Sequence, residues 1–137
     1  MSDPAGPILA FRVAHTATDF ERAVRFWCDG LGVEPVAVWP EEHGKAMMLE
    51  LGSATLELFD ETQAATVDRL EAGGRVSGQV RFALRVPDLD VALKRLLRHG
   101  ATLVYPPVET PWGDRNVRLA DPDGMQITLF ETGDPPR

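Results

Sequence analysis

The sequence holds a single cysteine, Cys28, which excludes an internal disulfide and any zinc or iron–sulfur site built on several cysteines. Its three histidines, His15, His43 and His99, are few for a metalloenzyme. Only Lys45 and Lys94 are lysines; the other basic residues are arginines, whose planar donors suit carboxylates and phosphates. No apolar run approaches the roughly 20 residues that cross a bilayer. Met1 to Pro7 has no basic segment and no apolar stretch behind it, so no secretory signal is expected there. No glycine-rich phosphate loop follows a strand, and no serine sits in a nucleophile elbow. A formal charge of -7 and a pI near 4.9 argue against a nucleic-acid partner or a polybasic membrane anchor. What is present is 137 residues, 44% apolar and 26% charged, which suits one soluble, cytoplasmic domain.

Residues 8–15 alternate as a strand. Thr18-Asp19-Phe20-Glu21 matches a helix capping box, with the Thr18 hydroxyl as cap and Glu21 reaching back. Phe20, Ala23, Val24, Trp27 and Leu31 follow at helical spacing, so a helix is predicted over about 19–29, ended by Gly30 and Gly32. Three extended segments come next, near 35–39, 45–51 and 54–59, with turns at Gly44 and Gly52-Ser53.

The pattern then repeats. Residues 79–86 read as a strand, and Asp88 caps a helix with Leu89, Leu93, Leu96 and Leu97 on one face, stopped by Gly100. Extended segments follow near 102–105, 115–120 and 125–130, the last two joined by the turn Asp121-Pro122-Asp123-Gly124. Arg12 falls on Arg81, Asp19 on Asp88 and Ala23 on Ala92, while Leu56-Glu57-Leu58-Phe59 echoes Ile127-Thr128-Leu129-Phe130. The chain is therefore read as a duplicated βαβββ unit in one α+β domain. Module one covers 8–60, a connector 61–77 and module two 78–131; 132–137 reads as a frayed tail. The connector contains a short helix from Ala64 to Ala72, closed by Gly73-Gly74.

Three stretches carry a resemblance. They are Asp19 to Trp27 with Leu31-Gly32, then Gly52 with Leu56-Glu57-Leu58, then Pro111-Trp112-Gly113 with Asp121-Pro122-Asp123-Gly124 and the final strand. On these the sequence resembles the vicinal oxygen chelate superfamily, which includes glyoxalase I, bleomycin-resistance proteins and extradiol dioxygenases. The resemblance implies two modules whose strands curl into a mostly antiparallel, open-barrel sheet with helices on its outer face. It implies chemistry inside the cup, and often a homodimer. In metal-dependent members, one position on the first and one on the last strand of each module supplies a ligand. Those positions match Arg12, Glu57, Arg81 and Thr128 here, where His and Glu would be usual. Arginine stays protonated and offers no lone pair to a cation, and threonine is a weak neutral ligand. No cofactor is therefore expected. If a divalent metal were bound, Glu57 and His15 would be its ligands, although a regular strand points His15 to the face opposite Arg12.

Strand alternation predicts what lines the cup. Arg12, Arg81, Arg85 and Arg118 point inward with Glu57, Thr128, Phe59 and Phe130, and Asn116 and Gln126 join them. Ala10, Ala14 and Ala83 leave room, and the Trp112 loop covers the mouth. Trp39, Met47 and Met48 extend the apolar wall or fill the core, and Cys28 is a buried, inert thiol. His43 sits in a solvated turn, and His99 suits the negative end of its helix. Two readings of the arginines stand side by side. In one, Glu57 bridges Arg12 and Arg81 in a structural network, since buried charges need partners. In the other, Arg12, Arg81, Arg85 and Arg118 bind a small anionic ligand by forked hydrogen bonds, with Trp112, Phe59, Thr128 and Phe130 around it and Glu57 as its base. Function is accordingly expected to be small-molecule binding without metal. The rivals are a metal-dependent lyase, isomerase or dioxygenase with atypical ligands, and a non-catalytic scaffold with a filled cup.

Overall fold

The computed structural model describes residues 7–132. The predicted N-terminal segment up to Gly6, and the predicted tail beyond Thr132, lie outside the described residues. The first βαβββ unit comprises β1 (Ala10–Thr16), α1 (Phe20–Val24), β2 (Ala37–Val38), β3 (Ala46–Leu51) and β4 (Ala54–Phe59). A π-helical stretch, Arg25–Asp29, continues α1. The connector helix is α2 (Glu61–Ala72). The second unit comprises β5 (Val80–Arg85), α3 (Leu89–Arg98), β6 (Thr102–Glu109), β7 (Asp114–Ala120) and β8 (Gln126–Thr132).

All eight strands form one open sheet in the order β2-β3-β4-β1-β5-β8-β7-β6. The first strand of each unit lies parallel to its last: β1 beside β4, and β5 beside β8. The two first strands pair antiparallel at the centre, with Arg12 opposite Ala83 and Ala14 opposite Arg81. Both modules thus complete a single cup within one chain.

The alternation read from the sequence sets the two faces. On the outer face Leu49, Leu56, Leu58, Met47 and Cys28 form a core beneath α1, with Phe20, Val24 and Trp27 packed on it. Val86, Leu89, Val117, Leu119 and Leu129 form the equivalent core beneath α3. Leu97, predicted on the buried face of α3, is 40% exposed; Leu89, Leu93 and Leu96 carry the contact. Glu131 accepts a hydrogen bond from the Leu89 amide at 2.9 Å and ties the start of α3 to β8.

Three local expectations are corrected. The cap of α1 is Asp19, whose carboxylate accepts from the Arg22 amide at 3.1 Å; Thr18 is not the cap, and Glu21 accepts from Lys45 at 2.6 Å instead of reaching back. A carboxylate at the positive helix end also outdoes a hydroxyl electrostatically. Strand β6 runs on through Pro106-Pro107 to Glu109, beyond the segment predicted near 102–105. It is an edge strand with shifted register, where missing amides are tolerated. The helices are not all on the outer face: α1 and α3 are, but α2 packs Ala64 and Val67 against Ala14, Ala46 and Phe59 on the concave side. Gly44, at φ 112°, allows this, because a Cβ there would collide with the Gln63 backbone in the first turn of α2.

Among the described residues, no helix is long and apolar enough to cross a membrane. Leu58 and Leu129 are fully buried in the two outer cores. Leu58→Ala and Leu129→Ala should each lower the unfolding free energy by about 2–5 kcal/mol, read from urea denaturation. A loss well under 1 kcal/mol at both sites would contradict this packing.

Candidate functional site

The concave floor is laid out by register. One row across the sheet reads Glu57 (β4), Ala14 (β1), Arg81 (β5); the next reads Arg12 (β1), Ala83 (β5), Thr128 (β8), Arg118 (β7). Alanine alternates with a long polar side chain. The alanines open space, and they also keep Glu57 two strands away from Arg81, at about 4.8 Å per strand.

That spacing overturns the bridge expected from the sequence. Among the described residues, Glu57 makes no hydrogen bond and no ion pair, with Arg12, Arg81 or any other group. The pairing of the inward arginines comes from α2, which sequence reasoning left out of the site. Arg118 forms an ion pair with Asp68 at 3.0 Å and donates to Glu71 at 3.1 Å, to Ser77 at 2.8 Å and to Gln126 at 3.2 Å. Asn116 donates to the second Glu71 oxygen at 2.7 Å. Thr128 donates to Glu71 at 2.6 Å and accepts from Arg81 at 2.8 Å. Asp68 further accepts from the Val76 and Ser77 amides, the Ser77 hydroxyl and Arg75. A signal for these acids was present: Ala64, Val67, Asp68 and Glu71 share one helix face, so two carboxylates occupy positions a core would fill with apolar groups.

Two of the expected site residues are thereby placed elsewhere. Arg118 is fully buried in this network and does not line the cleft. Arg85 donates to the Thr132 hydroxyl at 2.8 Å and is likewise off the cleft wall. The other seven, Arg12, Glu57, Phe59, Arg81, Trp112, Thr128 and Phe130, line one cleft of about 460 Å3. Trp39, Met48, Asn116 and Asp114 join them, as do Gln63, Thr66, Val67, Leu70 and Glu71 of α2. A cleft of this size, with no Glu57 bridge across it, is not the filled cup of the scaffold reading.

The arginines differ in their surroundings. The Arg81 guanidinium is buried 5.9 Å over the Phe59 ring. The Arg12 guanidinium stands 5.0 Å over the Phe130 ring and has no hydrogen bond or ion pair among the described residues. Burial pushes the Glu57 carboxyl above its ordinary range, against the pull of Arg81 and Arg12 and helped by Glu71. Burial also raises Asp114, which Arg12, Arg85 and Trp112 hold down. Cys28, on the outer face, has its thiol pushed up by burial, in keeping with an unreactive side chain.

The cleft floor does not fit a divalent metal. At the four positions implied by the resemblance there is one carboxylate, Glu57; the guanidiniums offer no lone pair, and Thr128 is held between Arg81 and Glu71. His15 pairs in register with Leu58, on the face opposite Glu57, so the two cannot share an ion. Among the described residues, no three His, Cys, Asp or Glu side chains are grouped to hold one.

The family model for the glyoxalase/bleomycin resistance protein/dioxygenase superfamily matches residues 11–129. The chain belongs to this superfamily. Solved structures with the superfamily's fold include a hypothetical protein from Bacillus halodurans C-125, with TM-score 0.66 and 15% identity over 92% of this chain and 95% of that one. A glyoxalase/bleomycin resistance protein/dioxygenase superfamily member from Vibrio splendidus 12B01 gives 0.62 and 16% over 88% and 97%. Methylmalonyl-CoA epimerase from Mycobacterium tuberculosis gives 0.66 and 20% over 98% and 94%. At such identities the likeness establishes the fold alone. No curated protein matches the sequence.

The α2 network has a measurable acid response. Burial opposes ionisation of Asp68, but the Ser77 hydroxyl and amide, the Arg118 charge and the Val76 amide outweigh it and hold the carboxyl at about 2, against an ordinary 3.8. A carboxyl lowered on folding adds stability that is complete above its unfolded value and fades as pH falls toward the folded one. Stability should therefore drop between about pH 4 and pH 2 by about 2 kcal/mol. Asp68→Asn should lose at least that much at pH 7 and flatten this acid limb in urea titrations. An acid limb of unchanged steepness in the variant would contradict the assignment.

Proposed function

We propose that this protein binds a small organic anion in its cleft without a metal ion. The observation that carries the reading is Arg12, a guanidinium facing the cleft whose donors no carboxylate among the described residues satisfies. Arginine forks suit carboxylate and phosphate oxygens. The donor set supports metal independence, since two of the four positions where a relative would hold a cation here carry positive charge. The cleft volume falls in the range usual for small-molecule sites. Glu57, half-buried and unbonded among the described residues, is suited to hold or pass a proton beside the bound anion.

Calorimetry on chelator-treated protein with a panel of small carboxylates and phosphates tests this. Binding should survive removal of divalent ions, and added zinc, manganese or nickel should not raise the melting temperature. Arg12→Ala should weaken binding about 10- to 100-fold, the worth of hydrogen bonds to a charged group. Unchanged affinity in that variant, or one tightly held metal per chain, would remove the reading.

The reading extends to a homodimer in the cytoplasm. Phe26, Leu31, Val36 and Val38 are each more than half exposed along one short stretch of the first module, apolar area that a second copy can cover. Light scattering should give twice the 15.1 kDa chain mass; a monomer at micromolar concentration would remove this part.

A further inference from the structure

Resting on the anion-binding reading, we infer that the cleft selects flat aromatic monocarboxylates, with the carboxylate on Arg12 and the ring system between Trp39 and Trp112.

The two indoles come from opposite edges of the sheet. Trp39 follows β2, the edge strand of the first module, where its amide still donates to Ala46 at 3.0 Å. Trp112 sits in the turn between β7 and β6, the edge strand of the second. Curling of the sheet brings both onto one cleft. Trp39 precedes Pro40, which holds the Trp39 backbone extended, and Trp112 follows Pro111 in the turn. The two tryptophans are 37% and 49% exposed, and neither has an aromatic partner among the described residues, unlike Phe11 with Phe82 or Phe26 with Trp27. Two accessible indoles thus line one cleft, and an aromatic ring stacks on indole better than an aliphatic chain does.

Charge sets the other half of the selection. Buried Asp68 and Glu71 balance buried Arg118 and Arg81, so the α2 network presents no net charge to the cleft. Arg69 is exposed at the mouth. Of the two floor arginines, Arg81 is tied to Thr128 and through it to Glu71, and Arg12 has no hydrogen bond or ion pair among the described residues. Glu57 and Asp114 line the same cleft as Arg12, and in ionised form either repels a second negative charge on the ligand. A single carboxylate fits; a phosphate dianion does not.

Calorimetry with four probes separates the parts: 2-naphthoate, cyclohexanecarboxylate, 2-naphthyl phosphate and 2-naphthamide. The first should bind tightest. Trp39→Ala and Trp112→Ala should each weaken 2-naphthoate about three- to tenfold and leave cyclohexanecarboxylate unchanged. Both indoles are partly exposed, and circular dichroism checks that each variant folds. Intrinsic fluorescence gives an independent readout, because the third tryptophan, Trp27, packs on the outer face away from the cleft. 2-Naphthoate should quench the wild-type emission, and the double variant Trp39→Phe/Trp112→Phe should show no response. Equal affinity for 2-naphthoate and cyclohexanecarboxylate, or tighter binding of the phosphate, overturns this inference while an Arg12→Ala loss on either probe keeps the anion reading. Absence of binding by every anionic probe overturns the inference. Carboxylates that bind equally well to Arg12→Ala overturn both.

Discussion

The cup depends on a pairing that neither module supplies. Arg81 and Arg118 point inward from adjacent parts of the second module, and no carboxylate of the sheet reaches them. The connector helix brings Asp68 and Glu71 to Arg118 directly, and links Glu71 to Arg81 through the Thr128 hydroxyl. Without that pairing the concave face would bury two guanidiniums uncompensated, which costs several kcal/mol each. The net gain from such a network is modest, because its members are stripped of water. Its effect is specificity: α2 can dock in one place only, where every oxygen of Asp68 and Glu71 finds a donor.

This docking breaks the symmetry of the duplication. Arg12 and Arg81 occupy the same position in their modules, and each stands over the equivalent phenylalanine of a last strand, Phe130 or Phe59. Because α2 follows the first module and lies across the concave face, it reaches the Arg81 side through Thr128 and Glu71 and leaves Arg12 alone. The network ties up Arg118 and part of Arg81, while Arg81, Thr128, Asn116 and Glu71 still form cleft wall beside Arg12. A duplicated unit thus yields one cleft with two unlike arginines.

The sheet was legible because a period of two leaves little choice: once Arg12 faces inward, Phe11 and Val13 face the helices, and the same logic ran correctly through β4, β5, β7 and β8. The network was not legible for two reasons. Glu57 looked like the natural partner of Arg12 and Arg81, but pairing depends on lateral register, which sequence periodicity does not give; Ala14 stands between. Asp68 and Glu71 share a helix face with Ala64 and Val67, but the connector was read only as a short helix, and where that face docks is set by tertiary packing. The same blindness misplaced Arg118 and Arg85, whose direction was right and whose partners were unknown.

Membership of the superfamily fixes the scaffold and leaves the chemistry to the floor of the cup. In the reading proposed here, the exchange of two ligand positions for arginine reverses what the floor attracts. A cation site holds its ligand through oxygens that share a metal. A guanidinium site requires the ligand itself to carry the negative charge, and it offers directed N–H donors in place of open coordination positions. Glu57 then changes role without moving. Beside a metal it would be a donor atom; beside Arg12, half-buried and without a hydrogen bond among the described residues, it is suited in this reading to exchange a proton with whatever the arginine holds.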